Sequence, residues 1–223
     1  MSAIVFDLDG TLIDSAPDIR IIANTVLGKR DLPPLTMTQT RSFIGHGAGH
    51  FVAQMMAANG FDRASTGFDA THAILLAEFT SLYETTFEAT TLYPGVADTL
   101  DILAGLGYRL GLCTNKPALA TQAVLKHFGL QDMFAAVVGG DTLPEKKPDP
   151  APLKLAFDKL GAGAHAYVGD SEVDADTAQA AGIPFALFTE GYRKSPVDAL
   201  PHMVRFDDFS ALPGLMQRLK GAA

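Results

Sequence analysis

Residues 3–12 read AIVFDLDGTL, and the four apolar positions Ala3 to Phe6 stop abruptly at Asp7-Leu8-Asp9-Gly10-Thr11. A short apolar run bounded by a glycine-containing turn predicts a buried strand. Asp7 then stands where a strand leaves the core, which in an open α/β sheet is the mouth of the ligand crevice. Two carboxylates placed there pose the question of what else the chain brings to the same edge.

Downstream, strand-like and helix-like runs alternate. After the turn signal Pro94-Gly95, Val96, Leu100, Leu103 and Leu106 recur at helical spacing and Gly107 closes the pattern. Strands are expected at Tyr108 to Cys113, Ala135 to Val138, His165 to Val168 and Pro184 to Phe188. Helices are expected at Ala118 to Phe128, Pro152 to Leu160 and Val173 to Ala181. Such β-α repetition predicts a Rossmann-like, doubly wound parallel sheet with helices on both faces. Residues 16–90 break the alternation. They carry helical spacings (Ile22/Val26, Phe51/Met55, Leu75/Phe79/Leu82), glycine-rich breaks and no alternating strand. The expected organisation is an α/β core of residues 1–15 and 91–223 with a small all-helical cap, 16–90, inserted after the first strand. Phe51, Met55, Met56, Phe79 and Phe87 are expected to form the core of that cap.

The residues able to do chemistry fall after the predicted strands: Asp7 and Asp9 after the first, Thr114-Asn115 after the second, Lys147 after the third, Asp170 and Asp174 after the fourth. In a parallel sheet those ends share one edge, so the clusters converge. Carboxylates suit a hard cation such as Mg²⁺ with a substrate phosphate. The hydroxyl, the amides and the ammonium suit a phosphoryl group. Read singly, each residue has a plainer role: Asp7 and Asp9 suit turns, Thr114 a strand end, Asn115 a helix cap, and either Lys146 or Lys147 a solvated loop. Glu172 and Asp176 are expected on the solvated face of a helix, and Cys113 as a small buried hydrophobe.

Composition bounds the function. The 223 residues hold 48% hydrophobic side chains, enough for a sizeable core, and a formal charge of −8. That charge disfavours nucleic acid and anionic membrane, so an anionic ligand must be met by local cations or a metal. The single cysteine excludes an internal disulfide and a thiolate-rich zinc site. No run approaches membrane-spanning length and the start lacks a signal-like pattern, so a soluble cytoplasmic protein is expected.

With DLDGTL at 7–12, LCTNK at 112–116, KKPDP at 146–150 and VGDSEVDADTAQAAG at 168–182, the sequence resembles the haloacid dehalogenase superfamily, in its phosphatase branch with a helical cap. IGHGAG at 44–49 and GYRKS at 191–195 are most similar to bacterial phosphoglycolate phosphatases. The resemblance implies a Mg²⁺-dependent phosphatase acting on a small phosphorylated metabolite such as 2-phosphoglycolate, as a monomer or homodimer. It assigns Asp7 as nucleophile, Asp9 as acid and base, and Lys147, rather than Lys146, as the phosphate-facing ammonium. It places Mg²⁺ on Asp7, the Asp9 carbonyl, Asp170 and Asp174. It gives phosphate contacts to Thr114 and Asn115, and it implies a cis peptide at Lys147-Pro148. In the family the cap loop reaches into the site, which makes Arg41 and His46, together with Lys116 at the core side, candidate substrate contacts. A phosphosugar mutase using the same aspartyl-phosphate, a phosphatase for another phosphometabolite, and a non-catalytic protein on the same fold are the competing expectations.

Overall fold

The computed structural model describes residues 2–221. Six parallel strands form one sheet in the order β5-β4-β1-β6-β7-β8: β1 (Ser2–Phe6), β4 (Arg109–Cys113), β5 (Ala136–Val138), β6 (Gly163–Gly169), β7 (Phe185–Phe188) and β8 (Val204–Phe206). β1 lies between β4 and β6 and is buried on both faces. Ile4 and Phe6 enter one apolar cluster with Leu112, Val168 and Phe188, whereas Ala3 and Val5 enter the other with Val138, Tyr167 and Leu187. A strand covered on both sides needs apolar residues at every position, which explains the unbroken Ala3 to Phe6 run.

Helices α5 (Val96–Gly105), α6 (Ala118–His127), α7 (Ala151–Leu160), α8 (Glu172–Ala181) and α9 (Leu212–Gly221) flank the sheet. The expected strands and helices occur within a residue or two. β8 and α9 were not expected: β8 has three residues and only Phe206 among them is buried, so it shows no period that a sequence can display. The Rossmann-like, doubly wound fold stands.

The chain leaves the core through β2 (Ile13–Asp14), passes through α1 (Ala16–Gly28), α2 (Met37–Phe43), α3 (Ala48–Ala58) and α4 (Phe68–Tyr83), and returns through β3 (Thr91–Leu92). β2 and β3 pair antiparallel, and Asp18 at the start of α1 accepts hydrogen bonds from Thr90 Oγ1 (2.6 Å) and the Ala89 N–H (3.2 Å), so the two crossings are tied together. Helices α1, α3 and α4 share their own apolar cluster, including Ile22, Val26, Phe51, Met55, Met56, Leu75 and Phe79. Phe87 corrects one expectation. It lies on the return segment past α4 and packs against the core cluster, its ring 4.8 Å from that of His127.

Candidate active site

The carboxyl edge of the sheet is assembled by backbone geometry first. The Asp7 N–H donates to the Val168 carbonyl (2.8 Å) and the Thr114 N–H to the Val138 carbonyl (3.0 Å), which extends the strand ladders to the chemical residues themselves. Gly10 turns at φ +91°, and a Cβ on it would lie 2.5 Å from Asp170 Oδ2. Glycine is what lets this turn approach that carboxylate. Asp170 is fixed from two sides, by Thr11 Oγ1 (2.7 Å) and by the Tyr192 N–H (2.6 Å). Ser171 and Asp174 form a capping box on α8, so Asp174 is held in the first turn, where the helix dipole favours a negative charge.

Lys147 joins these parts. Its Nζ is 2.8 Å from Asp7 Oδ1 and 2.7 Å from Asp174 Oδ1, and it donates to the Tyr167 hydroxyl at 2.8 Å. Tyr167 in turn donates to Asp174 Oδ1 at 2.7 Å. Lys147 is buried and Lys146 exposed, and the Lys147-Pro148 peptide is cis. Burial opposes the charged ammonium, but Asp174 and Asp7 outweigh it and raise the Lys147 pKa. The carboxyls divide. Asp174 is lowered, because Lys147 and the Ser171 and Tyr167 hydrogen bonds overcome its burial. Asp7 is pushed up to about 7 by burial and by the Asp174 charge, with Lys147 opposing. Asp170 is raised well above its ordinary value by burial, then by Asp174 and Asp7. Three buried carboxyls share one ammonium, so they cannot all ionise without a further cation.

One carboxylate oxygen from each of Asp7, Asp170 and Asp174 lies within 4.8 Å of the other two. Asp7 Oδ1 is buried and has no hydrogen-bond donor in line with it, although Lys147 is close. Crowded, underneutralised oxygens with one unserved are a donor set suited to a hard divalent cation. Both oxygens of Asp174 are already engaged, Oδ1 by Lys147 and Tyr167 and Oδ2 by Ser171 and the Asp170 N–H.

Asp9 faces a different environment. It accepts from Ser15 Oγ (2.6 Å) and Lys116 Nζ (3.1 Å) on Oδ1, and from the Tyr83 hydroxyl (3.4 Å) on Oδ2. The Lys116 ammonium also sits 3.7 Å from the centroid of the Tyr83 ring. Thr114 Oγ1 accepts from the Lys116 N–H (3.2 Å). The Asn115 side chain donates to the Gly45 and Lys147 carbonyls (2.9 and 3.0 Å) and accepts from the Lys147 N–H (3.0 Å), so it clips the loop before α3 to the core. A cavity of about 40 Å³ remains between helices and sheet edge. It is lined by Asp7, Asp9, Thr114, Asn115, Lys116 and Lys147 below, and by Ile19, Ile44, Gly45, Gly47, Phe51, Phe79 and Tyr83 above.

Arg41 and His46 do not line that cavity. Arg41 is half exposed, 3.2 Å from Asp14 Oδ2 and above the Tyr192 ring. The His46 ring lies against that of His50, tilted at 45° with centroids 4.8 Å apart, and its pKa is lowered by partial burial and then by Lys194. Arg193 turns to the Thr189 carbonyl. Glu172 departs from its expected solvated place: at the start of α8 it accepts the backbone N–H groups of Lys194 and Ser195, while Asp176 is exposed. Cys113 is buried, with its thiol pushed up to about 12 by burial. Five supporting side chains escaped the sequence reading: Thr11, Ser15, Tyr83, Tyr167 and Tyr192. For Ser171 a signal existed, since S-x-x-D before a helical run is a capping-box pattern. Nothing local marks the tyrosines, whose hydroxyls reach partners 7 to 178 residues away.

Residues 4–188 match the family described as haloacid dehalogenase-like hydrolase. A phosphoglycolate phosphatase of Rhodobacter capsulatus is 49% identical over 215 residues, 96% of each chain. One from Cereibacter sphaeroides is 46% identical over 98% of this chain and 99% of its own. Among solved structures, a predicted phosphoglycolate phosphatase from Haemophilus somnus superposes with a TM-score of 0.85 at 31% identity, covering 96% of this chain and 97% of that one. No described helix is long and apolar enough to cross a membrane. The chain belongs to the haloacid dehalogenase-like hydrolase family.

Proposed function

We propose that this haloacid dehalogenase-like hydrolase is a Mg²⁺-dependent phosphatase that cleaves a small phosphate monoester, 2-phosphoglycolate, through an aspartyl-phosphate on Asp7. The observation that carries the reading is the buried Asp7 carboxylate at the end of β1, with Oδ1 unserved by a hydrogen-bond donor and Lys147 Nζ 2.8 Å away. Such an oxygen keeps a lone pair for phosphorus, beside an ammonium placed to offset charge on the phosphoryl oxygens.

Asp7 attacks phosphorus as the ester P–O bond breaks, and Asp9 gives its proton to the departing oxygen. Asp9 then takes a proton from a water that attacks the same phosphorus. The P–O bond to Asp7 breaks, and inorganic phosphate and the free carboxylate are released. Thr114 Oγ1 and the backbone N–H of Asn115 hold phosphoryl oxygens, the Asn115 side chain being occupied with Gly45 and Lys147. Asp7, the Asp9 carbonyl and Asp170 would hold Mg²⁺. Asp174, whose oxygens are engaged, orients Lys147 and the Asp170 backbone. Mg²⁺ bound there offsets the repulsion between an anionic nucleophile and an anionic phosphate.

Helices α1–α4 act as a cap over this site, on a core of residues 1–15 and 91–223. The small cavity and its apolar upper wall support a short substrate, and the relatives' names support 2-phosphoglycolate. The test is phosphate release from a panel of phosphorylated metabolites, with Mg²⁺ and with a chelator. Phosphate release fastest from 2-phosphoglycolate and abolished by chelation is the expected result. Rearrangement of a phosphosugar without net phosphate release would overturn it in favour of a mutase.

A further inference from the structure

We infer that Lys116, seated on the Tyr83 ring, is the residue that recognises the substrate's second anionic group, a carboxylate on the leaving side. The inference rests on the phosphatase reading above and deepens it. Among the described residues, two ammonium groups line the cavity, Lys147 and Lys116. Lys147 is committed to the phosphoryl side: it donates to Asp174 and Tyr167 and its charge is paired with Asp7 at 2.8 Å. Lys116 stands on the other side, 3.1 Å from the acid–base residue Asp9.

An ammonium has three donors. Among the described residues, the Lys116 ammonium makes one hydrogen bond, to Asp9, and one contact with a ring face, that of Tyr83. Donor capacity therefore remains at a point next to the group that protonates the leaving oxygen. In 2-phosphoglycolate the carboxylate is one methylene from that oxygen, so one ligand reaches Asp9 and Lys116 together. The apolar side chains of the wall, Ile19, Ile44, Phe51 and Phe79, offer a carboxylate no polar partner. Poor in water, such a wall strengthens a charge-assisted bond. Burial and the Asp9 charge raise the Tyr83 phenol, which stays a neutral donor at its 3.4 Å distance from Asp9. Arg41 and His46, the cap residues that the sequence offered as substrate contacts, lie outside the cavity.

The test compares kcat/KM for 2-phosphoglycolate and for ethyl phosphate, which keeps the phosphoryl group and loses the carboxylate. The same enzymes are assayed for competitive inhibition by 3-phosphonopropionate and by propylphosphonate, which differ in the same way. Wild-type enzyme should favour the carboxylate member of each pair tenfold or more. Lys116→Met should bring both ratios near one, mainly by raising KM for 2-phosphoglycolate, and Lys116→Arg should keep most of the preference. Tyr83→Leu, which removes the platform, should lower both ratios several-fold, and it carries the test if Lys116→Met does not fold. A folded Lys116→Met, or failing that Tyr83→Leu, with the wild-type ratios would overturn the assignment while leaving the phosphatase reading intact. Wild-type enzyme that hydrolyses phosphosugars and not 2-phosphoglycolate would overturn the substrate reading itself.

Discussion

At the carboxyl edge of the sheet, Asp7, Asp170, Asp174 and Lys147 are buried together, three carboxyls to one ammonium, whereas helices α1, α3 and α4 bury aliphatic and aromatic side chains around Phe51, Met55 and Phe79. The first region holds its side chains by directed bonds to named atoms, the second by filling space. Exchanging a single atom is therefore expected to be decisive in one and tolerable in the other. Removing volume should reverse that order. Under the proposed function the difference also separates what each region would contribute: bond-making at the edge, and the size and polarity of what fits from the helical layer.

The largest expected effect tests the edge. Asp7→Asn keeps shape and removes the nucleophilic charge, so the folded protein should lose turnover by more than the about 10² to 10⁴-fold typical of losing an acid–base group. Its thermal melt should stay intact, because the burial that pushes Asp7 up to about 7 disfavours its charge. Phosphate release by Asp7→Asn near the wild-type rate would end the covalent mechanism. Next comes Asp9→Asn, which should cost about 10² to 10⁴-fold in kcat while Mg²⁺ binding, followed by calorimetry, persists. A smaller kcat loss would reduce Asp9 to a turn residue.

The same contrast explains what was legible in the sequence. Asp7, Thr114 and Asp170 each end an apolar run, and a parallel sheet places all such ends on one edge. Four separate clusters could therefore be assembled without coordinates. Their supporting groups could not. Tyr167 sits inside the strand-like stretch His165 to Val168, where its ring counts as apolar and its hydroxyl, on Lys147 and Asp174, leaves no trace. Tyr192 reaches Asp14 and the Ala16 N–H across the whole chain. The helical layer showed its apolar faces through their period, so Phe51, Met55 and Phe79 were readable. Where its polar side chains come to rest was not: Arg41 on α2 found Asp14, 27 residues away, and His46 turned to His50 beside it instead of to the cavity.

The next prediction belongs to the helical layer. Met55 is fully buried between α1, α3 and α4, and Met55→Ala should cost about 2 to 5 kcal/mol by deleting packed volume and leaving a cavity. Folded enzyme should keep its kcat within a few-fold, since Met55 is not among the residues that line the cavity. A melt unchanged by Met55→Ala would mean that this layer is not packed as a core, and the contrast drawn above would fail.

The smallest effect asks whether directed charge contributes anything to the helical layer. Glu78 on α4 receives a forked pair of bonds from Arg30, at 2.6 and 3.2 Å, and a further one from Lys29 at 3.4 Å, which joins α4 to the end of α1. The Arg30 hydrogen bonds lead in holding the Glu78 carboxyl down at about 2, below its ordinary 4.5. A pKa depressed by folding stabilises the folded state above the unfolded value and loses that contribution as pH falls. Glu78→Gln should therefore be less stable than wild type at pH 7, and the gap should begin to close below about pH 4.5 and narrow toward about 2. The Arg30 and Glu78 side chains are 29% exposed and Lys29 55%, so solvent screening holds the gap to at most about 1 kcal/mol. Denaturant midpoints for the two proteins at pH 7, 5 and 3.5 measure it. A gap that widens on acidification would reverse the sign and show that Glu78 is held by something other than its arginine. A gap of zero at pH 7 would leave apolar packing as the whole of what joins α1 to α4.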